Sequence, residues 1–89
     1  MTHGVAHPTT EAGRRVDTVL EIIGTVLGRR DLGPDDDVMD RGGTSLALVR
    51  ILVEAGRALG ADVNPRELAG IVTARSIATA AAGTLEDRT

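Results

Sequence analysis

Apolar residues recur at helical spacing along most of this 89-residue chain. Between residues 11 and 27, Val16, Val19, Leu20, Ile23, Val26 and Leu27 fall at i, i+3, i+4, i+7, i+10 and i+11, one face of an amphipathic helix, and Gly28 supplies a stop. Residues 45–59 repeat the pattern, with a core stripe of Leu48, Leu52, Ala55 and Leu59 and a stop at Gly60. Pro65 suits the first position of a brief helix reaching about Ala69. Ser76 is placed to cap a last helix through Ile77, Ala80, Ala81 and Leu85. No strand-like alternation outcompetes these periods, so the pattern predicts an all-α fold, a four-helix bundle whose third helix is short.

Two stretches escape the periodicity. Residues 1–10 read as a mobile tail that ends in a helix cap at Thr9 or Thr10. Residues 29–44 form a long connection carrying Gly33-Pro34, five aspartates and Gly42-Gly43, with Leu32, Val38 and Met39 as its apolar anchors. Connections this long inside a small domain are usually functional. The expected organisation is one domain over residues 11–85 between tails at 1–10 and 86–89. A chain of this size buries only about 60–65% of its unfolded surface, which leaves modest stability and no room for a second domain.

Composition narrows the function. The chain has no Phe, Tyr or Trp, so it lacks the stacking platforms of single-stranded nucleic-acid binders. Its net charge is −3, and its ten basic residues, all arginine, are spread out rather than gathered into a duplex-binding patch. Without cysteine there is no disulfide framework or thiolate metal site. No apolar run is long enough to span a membrane. A cytoplasmic protein that binds neither nucleic acid nor membrane is expected.

The chemistry concentrates in "DDDVMDRGGTSLALVRILVEAG", residues 35–56. A serine at a helix N-terminus meets unpaired N–H groups and the positive end of the helix dipole, so it can carry or face a phosphate at low cost. Gly42 and Gly43 put no side chain in the way of an approaching enzyme. From spacing alone, the favoured reading is that Ser45 or Thr44 simply caps the second helix. Leu46, Val49 and Val53 lie at i, i+3 and i+7, a second apolar line beginning one residue after the serine. That line needs its own partner, either another helix of the domain or a docking protein. The aspartates at 31, 35, 36, 37 and 40 read as a solvated charge run.

Other chemistry fails on spacing. Counted from Asp35, the fifth ligand position of a calcium loop is Met39, and no glycine follows where such a loop requires one. A phosphate-binding P-loop needs a lysine, and the chain has none. A serine-hydrolase triad would draw its base from His3 or His7 in the tail. Gly56-x-x-x-Gly60 reads as close helix packing plus a helix stop.

The segment "DDDVMDRGGTSLALVRILVEAGRALGADV" resembles the core of carrier proteins, specifically the peptidyl carrier or thiolation proteins of nonribosomal peptide assembly, whose motif is Gly-Gly-x-Ser-Leu after an acidic loop. Gly42-Gly43-Thr44-Ser45-Leu46 matches it, and the likeness runs over roughly residues 11–85, including "PREL" at 65–68. The resemblance implies an acyl-carrier-protein-like fold and 4′-phosphopantetheine esterified to Ser45 by a phosphopantetheinyl transferase, with Asp40, Gly42, Gly43 and Thr44 forming the attachment loop. An aminoacyl or aryl acid would ride on the arm's thiol as a thioester. A thiol with a pKa of about 8.5 leaves far more readily than an alcohol, which keeps the acyl group activated.

The implied partners are the transferase, an adenylating enzyme and downstream condensing, tailoring or transferase enzymes, docked on Leu46, Val49, Arg50 and Val53 of a monomer. The protein itself would be non-catalytic. Because the domain fills the chain, a free-standing carrier is expected. One acid, Glu54, stands against Arg50 and Arg57 on the second helix, which favours a nonribosomal-peptide type over the acidic helix of fatty-acid carriers. A polyketide or D-alanyl carrier is an alternative within the class. Outside it stands a small helical dimerisation or regulatory module with Ser45 unmodified. Val38, Met39 and Arg41 depart from the aromatic and leucine residues common in the family, and residues 69–76 form a longer turn lacking the usual Phe and Pro.

Overall fold

A computed structural model of the chain describes residues 10–68 and 70–86. Most of the expected tails, and Ala69 at the expected end of the third helix, lie outside the described residues. Three α-helices carry the structure: α1 over Glu11–Leu27, α2 over Ser45–Leu59 and α3 over Ala74–Glu86. Short 3-10 turns at Met39–Arg41 and Pro65–Leu68 punctuate the connections.

The first helix starts where its chemistry requires. Thr10 is extended, its Oγ1 accepts the Gly13 amide proton at 2.9 Å and its carbonyl accepts the Arg14 amide. Thr10, rather than Thr9, is therefore the cap. Helix α2 stops at Gly60, whose φ of +69° is left-handed, and the chain folds back so that the Ala61 amide reaches the Gly56 carbonyl at 3.0 Å. A Cβ on Gly56 would come 2.7 Å from the Ala61 carbonyl oxygen. The Gly56-x-x-x-Gly60 pattern therefore serves the helix's own terminus and not, as its spacing suggests, packing against another helix. Gly24 and Gly28 close α1 in the same way, through Arg29.

The core is aliphatic. Val19 and Ile23 of α1, Ile51, Leu52 and Ala55 of α2, and Ile77 and Ala81 of α3 are buried, with Val38 and Leu68 entering from the connections. Helix α1 packs on both α2 and α3, which touch each other less. Of the stripe expected on α2, Leu52 and Ala55 are buried while Leu48 and Leu59 are half-buried. Ile51, outside that stripe, is fully buried, because α2 is contacted by both other helices and its inward face is wider than one row.

Two expectations shift. The brief third helix is a single 3-10 turn, Pro65–Leu68, started by Asn64, whose side chain accepts the Arg66 amide at 3.0 Å. So the bundle is three α-helices plus that turn. The last helix begins at Ala74, two residues before Ser76, so Ser76 is not its cap. Thr73 caps it instead: the Ser76 amide donates to Thr73 Oγ1 and the Thr73 amide donates to Ser76 Oγ, both at 2.9 Å, a reciprocal capping box.

The long connection is tied to the start of α3. The Val38 amide donates to the Val72 carbonyl at 2.7 Å, and the Arg75 amide donates to the Pro34 carbonyl at 3.0 Å. Among the described residues, no helix is long and apolar enough to cross a membrane.

Candidate functional site

Everything around Ser45 is built outward from Val38. Its side chain is 1% exposed, and its backbone is fully committed, the carbonyl accepting the amides of Arg41 at 3.1 Å and Gly43 at 2.9 Å. This buried plug holds one end of the loop. The chain then makes the turn Met39–Arg41 and reverses at Gly42, whose φ of +96° suits glycine alone among common residues. A Cβ on Gly43 would lie 2.6 Å from Val38 Cγ1 and 2.7 Å from the Val38 carbonyl oxygen. Gly43 is therefore a packing requirement of the loop, a more specific reason than leaving room for an enzyme.

Thr44 follows in an extended conformation and caps α2, its Oγ1 accepting the Ala47 amide proton at 3.1 Å. That frees Ser45, the first residue of the helix. Ser45 is exposed, and its hydroxyl has no hydrogen-bond partner among the described residues. The amides of Ser45 and Leu46 likewise have no acceptor among the described residues. They present donors and the positive end of the α2 dipole to solvent beside the hydroxyl.

The other serine of the chain differs at every point. Ser76 Oγ accepts from the Thr73 amide and lies within hydrogen-bond reach of the Ile71 and Thr73 carbonyls, at 2.9 and 3.1 Å.

The acidic run is more than solvated charge. Asp36 accepts the Gly33 amide at 2.7 Å and faces the Arg41 guanidinium at 3.5 Å, an ion pair within the loop. Asp37 accepts the Met39 amide at 2.8 Å. Asp35 pairs with Arg75, forty residues away, at 2.8 Å. Asp31 receives a fork from Arg29, at 3.0 and 2.6 Å. The hydrogen bonds from these arginines hold the Asp31 and Asp35 carboxyls below the usual carboxylate range, and the carboxylates in turn raise Arg29 and Arg75. Asp31, Asp35 and Asp40 are nonetheless exposed, as the solvated reading expects, and Asp40 lies on the turn that precedes the glycines.

Leu46, Val49 and Val53 are 80%, 57% and 48% exposed, so the second apolar line of α2 meets no other helix of the domain. Arg50 is exposed on the same face with no ionic partner among the described residues, whereas Arg57 stands 4.0 Å from Glu54. Beside the line runs an open groove of about 480 Å³, walled by Val49, Leu52, Val53, Gly56, Val63 and Pro65. Met39 and Ile71 are exposed apolar residues that the periodicity did not single out, because both lie in connections rather than on a helix face.

This geometry coincides with a family match. The profile of the family described as "Phosphopantetheine attachment site" matches residues 17–81. The chain belongs to this family of carrier domains. Its members carry 4′-phosphopantetheine covalently, and the helical architecture is that of the acyl-carrier-protein-like superfamily. The carrier domain is also similar to the isonitrile lipopeptide synthase of Mycobacterium tuberculosis (strain ATCC 25618 / H37Rv), with 39% identity over 84 residues. That alignment covers 90% of this chain and 3% of the synthase, so the carrier domain spans a small fraction of that relative. No solved structure gives a significant match.

The loop ahead of α2 fits such a group. Among the described residues, an exposed hydroxyl and two amides without partners, beside two adjacent glycines, leave a phosphodiester room, donors and a favourable dipole.

Proposed function

We propose that Ser45 is the residue that takes up 4′-phosphopantetheine, and that the domain carries an aminoacyl or aryl acid on that arm in nonribosomal peptide-type biosynthesis. The observation that carries this reading is the state of the Ser45 hydroxyl: exposed at the start of α2, released from capping by Thr44 and without a hydrogen-bond partner among the described residues.

Loading is a phosphoryl-type transfer from coenzyme A. Ser45 Oγ forms the new bond to the pantetheine phosphorus, the pyrophosphate bond breaks, and adenosine 3′,5′-bisphosphate leaves. The serine proton passes to a base of the transferase. Once attached, the arm supplies a thiol for thioester formation. The chain's own contribution is to present the hydroxyl, to offer the Ser45 and Leu46 amides to the phosphodiester, and to provide a docking face. The phosphodiester's negative charge at this terminus is favourable by about 0.3–1 kcal/mol.

The nonribosomal assignment is supported by the α2 face, apolar at Leu46, Val49 and Val53 and flanked by Arg50 and Arg57 against a single acid, Glu54. The likeness to a lipopeptide synthase points the same way. On this reading an adenylating enzyme and downstream condensing or tailoring enzymes engage Leu46, Val49, Arg50 and Val53 in turn.

Incubation with coenzyme A and a broad-specificity transferase, followed by intact mass spectrometry, tests the assignment. The wild type should gain one phosphopantetheinyl group and Ser45→Ala none. A gain that survives in Ser45→Ala would sink it.

A further inference from the structure

The two glycines ahead of Ser45 have little conformational stiffness of their own, so the direction of the loop into α2 depends on what grips the residues around them. Besides the Arg41 amide on the Val38 carbonyl at 3.1 Å and the ion pair of Arg41 with Asp36, two grips bear on the backbone beside the glycines. On one side the Val38 carbonyl accepts the Gly43 amide at 2.9 Å. On the other, Arg29 Nη1 donates to the carbonyl of Arg41, the residue immediately before the glycine pair, at 3.0 Å in a partly buried contact. Two further donors of that guanidinium are held by Asp31, through Nε at 3.0 Å and Nη2 at 2.6 Å. The fork fixes the plane of the guanidinium, and Nη1 is thereby aimed at the Arg41 carbonyl. Arg29 is itself anchored, because its amide closes the end of α1 on the Gly24 carbonyl at 3.0 Å.

We infer that Arg29, preset by Asp31, is a positioning residue for modification at Ser45: it couples the rigid end of α1 to the backbone just ahead of Gly42 and so fixes where the Ser45 hydroxyl stands. This rests on Ser45 being the acceptor of the arm. Arg29 touches neither the hydroxyl nor the docking face, so its loss should alter the geometry of attack and leave the encounter with the transferase unchanged. The raised Arg29 and lowered Asp31 titrations are consistent with a persistent pair.

The test compares wild type, Arg29→Ala, Arg29→Lys and Asp31→Asn in transferase kinetics with coenzyme A, varying the carrier concentration. Arg29→Ala should lower kcat by about tenfold with KM held within about twofold, the signature of a misplaced nucleophile. Arg29→Lys keeps one donor and loses the fork, so it should fall between; Asp31→Asn should show a smaller loss in kcat of the same kind. In 15N relaxation of the unmodified proteins, Arg29→Ala should raise the mobility of the Gly42, Gly43 and Ser45 amides while those of Ile51 and Ala55 stay unchanged.

Wild-type kcat in Arg29→Ala, or a loss that follows only the fraction unfolded in a melting curve, would overturn the inference. So would unchanged loop amides, a measurement that does not depend on the transferase. A wild type that takes up nothing would refute the functional reading of Ser45, an outcome distinct from equal loading of wild type and Arg29→Ala.

Discussion

The starts of α2 and α3 use the same residue types and reach opposite ends. At α3 the buried Thr73 and Ser76 satisfy one another: each amide donates to the other's hydroxyl oxygen at 2.9 Å, and Ser76 is close enough to donate onward to Ile71. At α2 the threonine caps alone, the residue at the reciprocating position is Ala47, and the serine one place after the cap is exposed with no hydrogen-bond partner among the described residues. A closed capping box consumes the polar groups of a helix start and stabilises it. An open one forgoes part of that stabilisation and leaves a hydroxyl and amide donors available for chemistry. A threonine does the capping in both helices, so whether the serine is held or left free turns on whether it stands at the reciprocating third position, as Ser76 does, or directly after the cap, as Ser45 does.

The sharpest way to break this contrast is to delete each serine in turn. Ser45→Ala should abolish phosphopantetheine uptake while changing stability by no more than about 0.5 kcal/mol, as for an exposed side chain without partners. Ser76→Ala should load normally and lose about 1 kcal/mol, because the Thr73 amide is left without its partner. Intact mass and urea unfolding measured on both variants read the two effects separately. Next in size, Gly43→Ala forces a Cβ against the Val38 carbonyl and side chain. It should cost about 1–3 kcal/mol as an overpacked site, and it should slow loading because the strain falls directly ahead of Thr44 and Ser45. Unchanged stability in Gly43→Ala would show that Val38 can move, and with it the loop.

Much of this was legible in the sequence. The period of Val16 to Leu27 marks α1, Gly28 and Gly60 mark two helix stops, and the exposed line Leu46, Val49, Val53 stands out because α2 has more apolar residues than one core face needs. The glycine pair and Ser45 are contiguous, so local spacing suffices to find them. What stayed hidden depends on partners distant in sequence. Nothing local says that Asp35 pairs with Arg75 or that Val38 bonds to Val72, so a loop stapled to α3 reads as a run of solvated aspartates. Nor does spacing distinguish Ser76 as a cap from Ser76 as the reciprocating third residue. A sequence signal did exist there: Thr73, three residues earlier, makes the pair a potential capping box.

The open start of α2 can be closed by design. Ala47→Glu places a carboxylate three residues after the Thr44 cap, where it can reach back to the Thr44 amide and complete the box. The added bond and the favourable charge at the helix start should raise stability by about 0.5–1 kcal/mol. The same carboxylate stands close to the Ser45 hydroxyl, the proposed acceptor of the phosphate ester, so loading should slow several-fold, and more so at low salt where repulsion is unscreened. A variant that is more stable and loads at the wild-type rate would break the link drawn here between an open helix start and modification.

The smallest expected effect concerns the staple between the loop and α3. The Asp35 carboxyl is lowered by its hydrogen bond from Arg75, so the pair contributes stability that is fully present above the ordinary carboxylate pKa and is lost as pH falls through the lowered folded value. Asp31 behaves in the same sense toward Arg29. Both pairs are solvent-exposed, so the contribution is minor and screened by salt. Arg75→Ala should therefore melt slightly below wild type at pH 7, and the difference should begin to narrow below about pH 4, as the unfolded chain's Asp35 takes up its proton, and close once pH has fallen through the lowered folded value. The amide of residue 75 still reaches the Pro34 carbonyl in that variant, which isolates the ion pair from the backbone staple. A gap that persists unchanged into acid would assign the Arg75 contribution to packing of its aliphatic stem, and would leave Val38 and the backbone bonds as the whole connection between the attachment loop and α3.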